Sequence, residues 1–290
     1  MSEFIEFSLL GLFSGGVYAL IALGFVLIYK CTRVINFAIG EVMMLGAYFY
    51  YTANVIFGVS PLEAVVLALI SISIFSLIFE YLVLRPLSGQ PVVSVLMATI
   101  GLASIIHGMV EATWGSDTVN VPRPFPSMRL IFGDVLVPGS VVTNFAAAVV
   151  LIGLFSVFFR YSKTGVTLRA TASDPVTAAT LGIDIRYAQR LSWVLAGIVG
   201  TIAGVLISTA SGLSPLLSAG ALSVFAVIIL GGLDSVLGAI VAALAVGWME
   251  SIVVGYVGGK ARDVVPYLTV LGILMIRPYG LFGTRQIERL

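Results

Sequence analysis

Few side chains in this 290-residue chain can do chemistry, and most of those that can sit inside apolar runs. An ionisable group in hydrocarbon is costly and is by default a functional candidate. Glu80 and Glu250 lie within about two turns of the end of a run, where a long side chain reaches the interface, and Glu111 sits at an outer boundary. His107, the only histidine, is about one turn deeper beside Gly108 and reads as a hydrogen-bonded structural residue in preference to a ligand. Glu41 stands apart in the stretch Ile35-Asn36-Phe37-Ala38-Ile39-Gly40-Glu41. Asn36 and Gly40, four residues apart, are expected to share a helix face, with Glu41 one residue round. Asn36, Gly40, Glu41 and Met44 are therefore the candidates for a path or a gate, the alternative being a polar set that caps and anchors a helix near the cytoplasmic interface.

Catalytic and cofactor chemistry find no support. Cys31 is the only cysteine, so no intramolecular disulfide forms, and no His or Cys neighbours stand at metal-ligand spacing. Gly255 to Lys260 lacks the spacing and the following Ser or Thr of a phosphate-binding loop. Neither a His-Glu-x-x-His pair nor a nucleophile elbow occurs, and no catalytic, cofactor-binding or metal residue is expected. Uphill movement of a solute would need energy from another subunit.

The elements that must position these residues follow from composition. With 59% hydrophobic and 10% charged residues the chain cannot cover a water-soluble surface, for which about 25% charged residues is usual. Its apolar runs reach the roughly 20 residues that cross a bilayer as a helix. Continuous stretches such as Ala64 to Ile70 exclude the alternation of a β-barrel, and a net charge of +1 without a basic cluster excludes nucleic acid. The fold class is an all-α polytopic membrane bundle of eight or nine helices. Spans are expected near 7–29, 36–57, 62–84, 91–112, 141–159, 191–211, 217–232, 235–257 and 264–281. The N-terminus lacks the basic region of a signal peptide, so the first run is expected to stay as the first span. Glycines separated by three residues, at Gly11 and Gly15, Gly200 and Gly204, and Gly255 and Gly259, suit close helix packing.

Orientation follows from the basic residues. With the N-terminus outside and the C-terminus in the cytoplasm, only Arg123, Arg129, Lys260 and Arg262 of the 15 fall outside, and Arg277, Arg285 and Arg289 stay inside. The segment 217–232 is short, opens on Ser214-Pro215 and ends in Gly231-Gly232, so a broken or re-entrant helix is the alternative to a full crossing. Two polar segments interrupt the spans. One, 113–140, holds Pro122, Pro124, Pro126 and Pro138 and suggests an irregular cap on the outer face. The other, 160–190, faces the cytoplasm, and its core reads as a short helix with Asp174 at the N-cap, Pro175 at the first position and Gly182 just past the end. The residues alone leave open whether it is a handle for a partner or an amphipathic connector.

Two stretches carry a resemblance: Gly15 to Tyr29 followed by Ile35 to Tyr48, and Gly165-Val166-Thr167-Leu168-Arg169-Ala170-Thr171-Ala172-Ser173-Asp174 running through Ala178-Ala179 to Leu181-Gly182-Ile183. Together with Gly231-Gly232 and Ile276 to Gly283, they resemble the permease subunits of branched-chain amino acid ABC importers of the LivH type. The resemblance implies a single transmembrane permease domain over 1–290 in the bacterial inner membrane. It also implies that 160–190 is a coupling loop, in which Gly165, Arg169, Asp174, Ala178, Ala179, Gly182 and Ile183 meet an ATPase subunit. Its implied partners are a second, related permease, two ATPases and a solute-binding protein that docks outside, with 113–140 as part of that surface. Branched-chain or related amino acids are the implied substrate, with urea, short amides or aromatic acids as alternatives. Rival readings are an ion-coupled transporter, which would want carboxylates near the midplane, and a lipid-modifying enzyme, which would want a nucleophile and its base.

Overall fold

The computed structural model describes residues 2–87, 89–125, 130–132, 135–262, 264–277 and 280–283. Arg129, Arg285 and Arg289, which enter the charge argument, lie outside the described residues, as do Pro126, Pro278 and Tyr279. The helices are α1 (Ser2–Thr32), α2 (Ile39–Tyr51), α3 (Pro61–Phe79), α4 (Val92–Trp114), α5 (Gly139–Tyr161), α6 (Lys163–Ser173), α7 (Pro175–Thr180), α8 (Ile185–Ser211), α9 (Gly220–Gly231), α10 (Val236–Tyr256) and α11 (Val264–Ile276). α2 and α3 each run on into one π-helical turn, Thr52–Ile56 and Glu80–Leu84.

The fold is that of a helical polytopic membrane protein. Among the described residues six helices are long and apolar enough to cross a membrane: Glu3–Thr32, Pro61–Leu84, Val92–Trp114, Gly139–Tyr161, Ile185–Ser211 and Val236–Tyr256. The other three expected spans are shorter than the sequence suggests. α2 has 13 residues, about 20 Å, because Asn36 lies before it: the Asn36 side-chain oxygen accepts from the Ala38 N–H at 2.9 Å, a local turn that competes with helix. Asn36 and Gly40 therefore do not share one helix face. α9 has 12 residues and is preceded by extended backbone at Ser214 and a 3-10 turn, Pro215–Ala219. α11 has 13 residues. Segment 113–140 holds regular structure among its described residues. It carries a hairpin, β1 (Leu130–Phe132) with β2 (Val135–Val137), and an antiparallel bridge in which Val119 and Leu213 exchange N–H···O bonds of 2.9 Å.

α1 and α8 form the core, with 78% and 67% of their central windows buried, against 17% for α4 and for α5. Glycines set the closest contacts. A Cβ at Gly11 or Gly15 would fall 2.7 Å from the carbonyl oxygen of Gly247 or Ala243, so α1 and α10 meet backbone to backbone and run antiparallel. Gly24 of α1 lies against Ala196 of α8, while Leu27 and Cys31 cluster with Ala188, so α8 is antiparallel to α1 as well. The 212–219 break and α9 then return the chain to the end where α1 finishes. There Gly231 packs on Gly238, and Leu281 and Phe282 donate N–H bonds of 2.8 and 3.1 Å to the carbonyls of Leu230 and Gly231.

Candidate functional site

Two places gather the residues singled out in the sequence. The first is the α6–α7 segment. Ser162 accepts from the Gly165 N–H at 2.8 Å and caps α6, and a Cβ at buried Gly165 would sit 2.7 Å from the Phe158 carbonyl, so only glycine permits the sharp turn out of α5. α6 is tied to its surroundings. Arg169 donates to the Arg160 carbonyl at 3.0 Å, Arg33 donates to the Ala172 carbonyl at 3.1 Å, and Leu168 packs on Leu27, Cys31 and Ala188. Motion of α6 is thereby linked to α1, α8 and the turn before α2.

Asp174 caps α7 as the sequence predicts: one carboxylate oxygen accepts from the Val176 and Thr177 N–H groups at 2.9 and 3.2 Å, and the other accepts from the Thr177 hydroxyl. These bonds, the hydroxyl first, hold its carboxyl below the usual range. Gly182 ends the helix at φ +83°, with Gly182 and Ile183 donating to the carbonyls of Ala179 and Ala178 at 3.0 Å each. Ala178 is only 2% exposed and faces inward, whereas Ala179 and Gly182 are exposed and Ile183 is half-buried. The apolar groups turned outward are Val176 and Leu181, 73% and 76% exposed. The sequence reading overlooked both, although two apolar residues on so polar a segment were a usable signal.

The second place is a cleft between α2 and α4. The Glu41 carboxylate lies 3.3 Å from His107 Nδ1, and His107 Nε2 lies 3.6 Å from the Glu111 carboxylate. The Phe37 N–H donates to the Thr99 hydroxyl at 3.4 Å. Thr99 is seven residues in from Val92 and His107 seven from Trp114, so each lies about 10 Å from its end of α4. Glu41 thus lies level with a point about 10 Å in from the end of α4 and not at the membrane interface, because the non-helical stretch 33–38 covers the distance that a helix was expected to span. A cavity of about 490 Å³ lined by Phe37, Glu41, Ser104 and His107 adjoins one of about 240 Å³ lined by Phe25, Phe37, Gly40, Glu41 and Ser218. Gly40 is pressed against the 3-10 turn, where a Cβ would lie 2.7 Å from the Ser218 carbonyl. Asn36 and Met44 do not reach these cavities: the first is buried in its own turn and the second is fully packed in the core.

Gly101 and Gly108 of α4 look into open space and His107 is partly exposed, so this carboxylate and imidazole row lies on the outer side of the bundle. Acyl chains are poor neighbours for such a row; water or protein must cover it.

Residues 8–276 match the family model described as branched-chain amino acid transport system / permease component. The chain belongs to that permease family. Relatives include the high-affinity branched-chain amino acid permease protein LivH of Salmonella typhimurium, 28% identical over 96% of this chain and 95% of its own length. BraD of Pseudomonas aeruginosa is 28% identical over the same shares. A probable LivH of Methanocaldococcus jannaschii is 30% identical over 93% of this chain and 90% of its own. Membership of the branched-chain amino acid permease family makes the chain a permease component of an ABC importer, a multi-pass membrane protein and not an enzyme. It works with ATPase and binding-protein partners. A carboxylate near the middle of the bundle, which the ion-coupled rival would want, is present in Glu41, but the family assignment places the chain with ATP-driven systems.

Proposed function

We propose that this chain is one of two permease subunits of an importer for branched-chain or closely related amino acids, receiving solute from a binding protein outside and driven by two ATPases. The observation that carries the mechanism is the α6–α7 segment: a capped helix with outward Val176 and Leu181, tied through Leu168, Arg33 and Arg169 to the helices that form the core. An ATPase that grips Val176 and Leu181 can pull on α1 and α8 as a rigid body when it closes. The outer side of the α2–α4 cleft, with Glu41 and His107, faces the second permease across the translocation path, which satisfies the demand for water or protein around those groups. The second permease is read as a paralogue.

Nine passages of the membrane fit the contacts. The six long helices are joined by α2 with its π turn, by the broken 212–231 segment and by α11, with the N-terminus outside and the described end, 280–283, on the cytoplasmic side. The amino acid substrate is supported by the names of the relatives. Purification in mild detergent should bring down two ATPases and a second permease, and vesicles carrying the assembly should take up leucine only with ATP and the binding protein. Recovery of the chain alone, active in ion-driven uptake, would sink the reading.

A further inference from the structure

A second cavity, with both polar and apolar walls, lies away from the Glu41 cleft. It measures about 660 Å³ and is bounded by α1, the far end of α8, the 212–219 break and the segment before α11. Small-molecule sites fall at roughly 300–1,000 Å³. One wall is apolar, built by Phe13, Val17, Ile21 and Leu217. At another stand the Tyr18 hydroxyl and the Arg262 guanidinium. They are held from behind by buried Glu250. Its carboxylate accepts from the Tyr18 hydroxyl at 2.8 Å and pairs with Arg262 Nε at 3.6 Å, while Arg262 Nη2 donates to the Tyr18 oxygen at 3.1 Å.

The third wall is the break itself, non-helical from Gly212 to Ser214 and in a 3-10 turn from Pro215 to Ala219. Irregular backbone at membrane depth is tolerated where it is buried in protein or lines a water-filled space, and broken helices place their polar backbone at solute sites. Ala219 lines this cavity and also the smaller one beside Glu41, so the two spaces are separated by a single turn of chain.

We propose that this cavity is a solute site within the single permease subunit, one that holds a zwitterionic amino acid before it enters the Glu41 cleft. Arg262, positioned by Tyr18 and Glu250, takes the carboxylate, the carbonyls of the 212–219 break take the ammonium, and the Phe13, Val17, Ile21 and Leu217 wall takes an apolar side chain. The Pro215–Ala219 turn is the partition that must shift for onward passage, with Gly212, at φ +84°, and Gly220 as its two ends. The inference rests on the permease reading above.

The test uses the assembled importer in membrane vesicles with Cys31, the only cysteine, replaced by serine. A cysteine introduced by Ser223→Cys, in the cavity wall, should react with a charged methanethiosulfonate reagent added from the outer side. Leucine should slow that reaction by a factor of 1 + [L]/Kd, about tenfold at ten times Kd. The amine 3-methylbutylamine, which lacks the carboxylate, should give no protection, and Arg262→Gln should abolish protection by leucine. Ser14→Cys, on α1, repeats the measurement should the first variant fail to insert, and the amine comparison needs no change at Arg262. No labelling at either cysteine, no protection by leucine, or equal protection by the amine overturns the proposal. ATP-driven leucine uptake in the same vesicles reads the permease assignment separately.

Discussion

From Ser162 to the start of α8 every side-chain cap comes from within three residues: Ser162 to Gly165, Asp174 to Val176 and Thr177, and Asp184 to Arg186 and Tyr187. In the α2–α4 cleft the partners are remote in sequence, 62 residues apart for Phe37 and Thr99 and 66 for Glu41 and His107. The first region carries its own instructions and needs the rest of the fold only as an anchorage. The second exists only when α2 and α4 pack on each other and on the broken segment. Substitutions distant from both regions should therefore harm the cleft and spare the caps.

The largest expected effect tests that asymmetry at the frame. Gly15→Leu puts a side chain where the Ala243 carbonyl already lies, and overpacking of this kind costs about 1–3 kcal/mol or more. Yield in the membrane and the melting midpoint in detergent should fall and a cysteine introduced by Ser104→Cys in the Glu41 cleft should change its reactivity with thiol reagents, while hydrogen exchange over 176–180 stays as in the parent. Equal loss of protection in α7 would mean that its caps do not act alone.

Next come Val176→Glu and Leu181→Glu, on exposed positions that make little internal contact. Uptake should fall by at least about tenfold, equivalent to about 1.4 kcal/mol of coupling, with unchanged insertion and melting. Wild-type uptake in both variants would remove the ATPase from this surface. Ala178→Glu is a poorer probe, because Ala178 is buried and the substitution would disturb α7 itself.

Within the cleft, Glu41→Gln should lower uptake by less than the α7 changes. A double-mutant cycle with His107→Gln on transport rate should show a coupling of about 0.5–3 kcal/mol, as for other contacting pairs. Strict additivity would break the pairing and leave Glu41 as a helix-end residue. The smallest effect belongs to Asp174→Ala, which removes a local cap on an exposed helix. Its signature is faster hydrogen exchange at 176–178 with nearly normal uptake. Because the folded carboxyl titrates below its ordinary value, the cap contributes in full above about pH 4 and is lost as the pH falls through the depressed value. Once rates are corrected for the intrinsic pH dependence of amide exchange, acid should lower protection at Val176 and Thr177 in the parent and leave Asp174→Ala unaffected, and the reverse pattern would sink the cap.

The same division governs what could be read from residue types. Asp174, Pro175 and Gly182 announce a helix start and stop because caps act over a single turn, and the structure places them as expected. His107 reads as a plain structural histidine in the sequence because nothing near it in the chain is its partner; Glu41 meets it only through the packing of α2 on α4. Asn36 misleads in the opposite sense. Its four-residue spacing from Gly40 suggests a shared helix face, yet its side chain turns back on the Ala38 N–H and delays the helix. Glu250 is noticeable in the sequence as an ionisable residue in an apolar run, but nothing there joins it to Tyr18 and Arg262, since 232 and 244 residues separate Tyr18 from its two partners.

Composition and local spacing by themselves determined that this is a helical membrane protein with long apolar spans and that a capped helix interrupts the 160–190 loop. These properties depend on hydrophobic transfer and on hydrogen bonds within a turn, both of which are local in the chain. Tertiary structure alone decided where α2 begins relative to α4, how the chain breaks at 212–219, and which carboxylate meets which cation. Those outcomes depend on glycine-permitted backbone contacts between helices far apart in sequence, and a residue pattern records the glycine without recording what will press against it.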